Sequence, residues 1–267
     1  MTDEKFVFTA SLKKKLAITG IIGVVLFVIG LIALMTGGGH EEASHGVEAA
    51  GHAADAAGHG AAEEHHGSSW ITRVYANLWI NNVYFTGVAL IGIFFVAVQY
   101  VAQAGWSAPI KRIPLAFGSW LPIAGILMLV TWLVASHDLF HWTHEDLYVE
   151  GGPHYDEIIA GKQAFLNTPF YLARMVIYFV VWILFFRWIR KEILAEDIDG
   201  NTKHWKKLIG ISAGFIVFFA VSSSMSAWDW ILSIDTHWFS TMIGWYVFAS
   251  WFVTGLATIT LIIVYLK

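Results

Sequence analysis

The chain has 267 residues, of which 57% are hydrophobic and 13% charged; a soluble domain carries roughly 25% charged residues, so a water-exposed globular fold is excluded. With no cysteine, the chain cannot form a disulfide, ligate an iron–sulfur cluster through thiolates or attach a c-type haem covalently. The net charge of −4 constrains little, because in a membrane chain the placement of charge matters more than its sum.

The first apolar stretch, Leu16 to Met35, is longer than the roughly 7–15 residues of a signal-peptide core and lacks an A-x-A cleavage site, so it reads as a retained span. A hydrocarbon core needs about 20 apolar residues in helix. Stretches near 16–36, 80–103, 114–136, 169–189, 208–228 and 239–265 meet that requirement. Pro122 falls in the first half of the third and predicts a kink there. Pro169 stands at the start of the fourth, where proline is well tolerated. The sixth is long enough to tilt or protrude. All but three of the 16 Lys and Arg lie in or beside segments 1–15, 104–113 and 190–207 or at the end of the chain; the exceptions are Arg73, Lys162 and Arg174. By the positive-inside rule those segments are cytoplasmic, which sets the N-terminus inside.

Two segments then fall outside. Residues 40–69, with His40, His45, His52, His59, His65 and His66 among Gly, Ala and Glu, read as a flexible linker. A Zn- or Ni-binding role is the alternative for such a tract, but the histidine spacing is irregular. Residues 137–168, which include GGPHYDE, read as a structured cap. The expected organisation is a tail and first span over 1–39, the linker, a four-helix bundle over 70–228 that carries the cap, and the start of a second, incomplete bundle over 229–267. The fold class is an all-α polytopic transmembrane helical bundle with six spans.

Ionisable groups within or at the edge of a span are costly and point to function. Here they gather at the outer end. The third span ends in Ala135-Ser136-His137-Asp138-Leu139-Phe140-His141, which sets His137 and His141 on one face if the helix continues. Arg174 lies about one turn inside the fourth span, with Asp138 or Asp229 as its expected partner. Asp229 ends the fifth, and the loop to the sixth carries Asp235 and His237. Such a set suits proton exchange with the outside, at a quinol head-group or a proton exit path, because histidine titrates near neutral pH and a carboxylate can orient it. The plainer account is interfacial anchoring, with a snorkelling Arg174 and polar helix caps. It is the better account of any one of these residues alone, whereas their concentration across three helix ends favours a site. The run Ser222-Ser223-Ser224-Met225-Ser226 suits helix packing before a proton wire. Trp228, Trp230, Trp238, Trp245 and Trp251 read as interface and packing residues. No histidine falls in the middle of a span, which argues against b-type haem and a haem–copper core; His204 is placed in a cytoplasmic loop.

The segment from Ser222 to Phe248, with Trp228-Asp229-Trp230 and Asp235-Thr236-His237-Trp238 at its centre, resembles the second quinone-type membrane subunit of bacterial alternative complex III. These subunits are similar to the polysulfide reductase membrane subunit (NrfD-like) family. The His137-Asp138 end of the third span and the His-rich insertion fit the same pattern. The resemblance implies ten spans in two four-helix bundles with peripheral helices, and this six-span chain departs from that. It also implies a respiratory complex of the bacterial inner membrane that oxidises quinol and delivers electrons to cytochrome c or an oxidase. The partners would be a related quinone-type subunit and iron–sulfur and c-type haem subunits. Quinone is then the one cofactor open to this chain, which would hold no metal. His137, Asp138, Asp229, Asp235 and His237 carry over as proton-path or quinone-associated candidates. The expected role is structural, quinone-associated or proton-translocating; a secondary transporter and a purely structural anchor are the alternatives.

Overall fold

A computed structural model describes residues 10–36 and 70–266. The His-rich linker and the N-terminal tail lie outside the described residues. The chain divides into two compact units, Met1–Val74 and Tyr75–Lys267. In the first, α1 (Ala10–Thr36) is apolar all round beyond Lys13, Lys14 and Lys15, and Leu16, Ile21, Val24 and Leu26 are exposed. A helix apolar on every side belongs in lipid or against a partner.

Among the described residues there is no strand, and six helices are long and apolar enough to cross a membrane. The protein is therefore a multi-pass membrane protein built as an all-α bundle. The second unit contains most of α2 (Trp70–Val101), then α3 (Arg112–Phe117), α4 (Leu121–Leu139), α5 (Glu157–Gly161), α6 (Thr168–Asp199), α7 (Thr202–Trp230) and α8 (Ile243–Leu266).

The third span differs from expectation at both ends. Pro122 stands in the first turn of α4 instead of kinking it, and its absent N–H would have bonded the carbonyl of Gly118. Over Gly118–Trp120 the backbone tightens to a 3-10 turn, so the break comes before the proline. At the far end α4 stops at Leu139, because Phe140 is extended (φ −119°, ψ 99°). His141 consequently leaves the helix for a 3-10 turn over His141–Thr143 and does not share a face of α4 with His137.

The supposed loop 190–207 is mostly helix. Asn167 caps α6 by accepting from Phe170 N–H, with Pro169 in the first turn. The helix runs on to Asp199, where Gly200 takes the left-handed conformation (φ 61°) that glycine adopts without a Cβ penalty. Asn201 then caps α7 at once. Both helices outlast the apolar stretch because 32 and 29 residues exceed the roughly 20 that cross the hydrocarbon. His204, expected in a loop, is on α7.

α2 is the most enclosed of the six spans. Its Trp79 indole N–H donates to the Trp230 carbonyl at 2.8 Å, and Asn82 Nδ2 donates to the Ala124 carbonyl at 3.0 Å, which ties it to α7 and α4. Helix α6 packs between α4 and α7, and α7 also meets α8. The core is strongly aromatic: Trp79, Trp142, Trp182, Trp230, Phe215 and Phe219 are essentially inaccessible. Between α2 and α8, Gly87 receives the Trp251 ring, while one turn along Gly255 receives Ile91. Small-to-large contacts of this kind let two membrane helices approach closely.

Candidate functional site at the cap end

Arg174 and Asp229 form the centre of this end. The Asn167 cap and Pro169 start α6 at a set point, which brings Arg174 level with the last turn of α7. Arg174 Nε donates to Asp229 Oδ2 at 2.9 Å and Nη2 to Oδ1 at 2.7 Å, a bidentate pair between residues that are 4% and 1% exposed. Arg174 Nη1 donates to the Phe165 carbonyl at 3.0 Å. The guanidinium carbon lies 3.9 Å from the Phe165 ring centre and 4.3 Å from that of Phe170. Tyr178 donates its hydroxyl to Asp229 Oδ2 at 3.2 Å, and Ser233 donates to the Asp229 carbonyl. Snorkelling is thereby ruled out for Arg174, which points inward. Asp138, the other partner considered for it, is exposed. Burying two charges is tolerable only when geometry is good and the remaining lone pairs are met, and here they are. A carboxylate so fully engaged fastens two helices and leaves no free base.

Asp235 and His237 do a second job. Asp235 Oδ1 accepts from the backbone N–H of His237 (3.1 Å) and Trp238 (3.4 Å), which shapes the α7–α8 loop. The His237 ring then reaches across the cap, with Nε2 2.6 Å from Asp156 Oδ2. Asp156 also caps α5, its Oδ1 accepting from Ile158 and Ile159 N–H at 2.9 and 3.0 Å. Lys162 donates to the Thr236 carbonyl and fastens the same loop. Neither Asp156 nor Lys162 stands out as a site residue in the sequence.

Burial pushes the Asp156 carboxyl upward, but the Ile159 N–H, the His237 ring and the Ile158 N–H outweigh it and hold the group below its ordinary value. A carboxyl lowered in the folded state stabilises that state above its unfolded value of about 3.9, and the gain disappears as pH falls through the lower folded value. Limited proteolysis of the cap between pH 7 and pH 3 should therefore show a new cleavage zone over 140–167 only at the acid end. Asp156→Asn, which removes the titrating carboxyl, should show the same cleavage already at pH 7.

His137, Asp138 and His141 are exposed on the cap surface. The ring of His144 lies 5.3 Å from that of His137 and 5.7 Å from that of His141. His144 Nε2 is 3.0 Å from the His137 carbonyl, which places its proton on that nitrogen. Among the described residues, no group of three or more His, Asp and Glu is arranged to hold a metal ion. The seven candidates thus separate into a closed clamp (Arg174, Asp229), a loop latch (Asp235, His237) and an exposed patch (His137, Asp138, His141). Held in three separate groups, they do not fit a quinone ring bound among them.

The opposite end holds a polar network as well. Buried Glu192 accepts from Lys207 and lies 2.9 Å from His204 Nδ1. Tyr100 donates to Glu196 Oε2 at 2.6 Å, and Lys111 reaches Glu196 at 2.7 Å and Asp197 at 3.3 Å. Arg112 pairs with Asp197 at 2.6 Å. The signal was present: Glu192 and Glu196 are spaced i, i+4 on one helical face. From the cap end, polar contacts continue inward only to Ser222, whose hydroxyl accepts from the Trp182 indole N–H at 3.0 Å. Ser212, towards the other end of α7, is buried and its hydroxyl has no partner among the described residues. Phe215 and Phe219, stacked at 5.7 Å and fully buried, occupy the interval.

Compared with protein-family models and with curated proteins, the sequence matches none of them.

Proposed function

We propose that this chain is an integral membrane subunit of a bacterial quinol-oxidising electron-transfer complex, in which it builds and presents a rigid cap to partner subunits. The carrying observation is that the segment responsible for the resemblance, Ser222 to Phe248, supplies the ties at this end: Asp229 to Arg174, Asp235 to its own loop, and His237 to Asp156. Ionisable side chains engaged with each other hold a surface in shape. Redox chemistry in this reading belongs to neighbouring iron–sulfur and c-type haem subunits, which pass electrons to cytochrome c or an oxidase. The distribution of Lys and Arg supports placing the cap on the periplasmic side of the inner membrane.

A proton path through this chain is not part of the proposal, because the Phe215–Phe219 pair interrupts the polar groups of α7. A transporter would need a substrate site near the midplane, often at a broken helix. The buried charged residues among those described are Arg174, Glu192 and Asp229, each already in an ion pair, which counts against transport.

The test is to tag the chain, extract it in mild detergent, and record the redox difference spectrum and quinol:cytochrome c reductase activity of what accompanies it. A co-purifying haem c spectrum with quinol-dependent turnover is expected. A colourless, inactive preparation, under conditions that keep other respiratory complexes intact, overturns the reading.

A further inference from the structure

The geometry points to a binding site for one anionic phospholipid in the cleft where the cap meets the α7–α8 loop. The cleft has a volume of about 340 Å³, and its walls are mainly apolar, with Phe165, Trp228, Trp238 and Phe239 among them. Trp228, Trp238 and Phe239 are 41%, 51% and 79% exposed, so the cleft opens sideways to its surroundings and is not sealed within the bundle. Its walls come from Lys162, Phe165 and Leu166 on the cap side and from the last turn of α7 and the loop that follows it. Tryptophans at the ends of membrane helices mark the depth of the lipid head-groups. At that depth the cleft meets phosphate esters above and acyl chains below.

Lys162 supplies the charge complement. Its ammonium has three donors; one goes to the Thr236 carbonyl, and among the described residues it forms no ion pair. Two carboxylates of the cap and the α7–α8 loop are engaged elsewhere, Asp156 by His237 and two backbone N–H groups, and Asp235 by two backbone N–H groups. Thr236, which also lines the cleft, has a buried hydroxyl with no hydrogen-bond partner among the described residues. A cation with free donors beside an aromatic wall at head-group depth matches a lipid phosphate with one acyl chain laid along Phe165 and Trp238. This inference does not depend on the respiratory reading.

The full-length chain, purified in mild detergent, is placed in nanodiscs of equal phosphatidylglycerol and phosphatidylcholine, and the lipids it retains are identified by native mass spectrometry. Wild type is expected to retain phosphatidylglycerol over phosphatidylcholine. Lys162→Gln should reduce that preference about fivefold, the effect of one interfacial lysine. Leu232→Trp, which fills the cleft, should lower retention of both lipids, while Lys203→Gln at the opposite end should leave the preference intact. Equal retention of the two lipids by wild type, an unchanged preference in Lys162→Gln, unchanged retention in Leu232→Trp, or an equal loss in Lys203→Gln overturns the site. So does release of the lipid by millimolar glycerol phosphate, which would make it a phosphate site alone, or retention of a neutral isoprenoid ring compound insensitive to Lys162→Gln. None of these readouts uses electron-transfer activity, so the site and the respiratory reading can fail separately.

Discussion

Asp229→Ala is expected to lower the stability of the bundle by about 3–5 kcal/mol, the penalty for leaving a buried charge without its partner. Arg174 would remain enclosed between the Phe165 and Phe170 rings with its Nε and Nη2 donors unmet. Tyr178 would lose its acceptor at the same time. The measurement is the unfolding transition in mixed detergent–SDS micelles, followed by tryptophan fluorescence. Replacing both partners by apolar residues, Arg174→Met with Asp229→Leu, should recover most of the loss, since neither charge is then stranded. If Asp229→Ala unfolds like wild type yet abolishes turnover of the co-purified complex, the clamp is a reactive site and not a fastening. That result would overturn the role given to it above.

Widening the α2–α8 seam should have the next largest effect. Gly87 and Gly255 each lie under a bulky side chain from the opposite helix, Trp251 and Ile91 respectively, and a Cβ at either glycine would overlap it. Trp251 is itself buried at 3% exposure and has no free space to turn into. Overpacking of this kind costs about 1–3 kcal/mol and occasionally more; because the two contacts lie one helical turn apart on each helix, the double variant Gly87→Leu/Gly255→Leu should detach α8. Cysteine cross-linking between the two helices, practical in a chain that has no native cysteine, reports the separation. Adding Trp251→Ala to the double variant should partly restore the cross-link by returning volume beside position 87. An intact cross-link in the Gly87→Leu/Gly255→Leu chain would show that α8 is held by something other than this seam.

The spans are legible in the sequence because burial in hydrocarbon is a local demand: about 20 consecutive apolar residues satisfy it wherever they occur. The placement of Lys and Arg is legible for the same reason. At the cap end, sequence reasoning finds the right residue types but groups them wrongly. Spacing puts His137 and His141 on one helical face, but an extended Phe140 turns the chain between them. Arg174 has two candidate partners, and nothing in local spacing can choose Asp229 over Asp138. Asp156 escapes notice because a carboxylate in a polar loop looks ordinary until it is seen to cap α5 and meet His237. Glu192 is passed over because a glutamate among lysines reads as solvated, although its helix continues past the span and turns it inward.

By itself the sequence determined that this is an all-α membrane chain, which of its segments are long and apolar enough to cross, and that ionisable residues accumulate at the span ends. Only the tertiary structure decided which of those residues meet. Arg174 and Asp229 stand 55 residues apart, and His237 and Asp156 stand 81 apart. Hydropathy is summed along the chain, whereas an ion pair depends on where helix caps, turns and packing bring distant side chains to within about 3 Å.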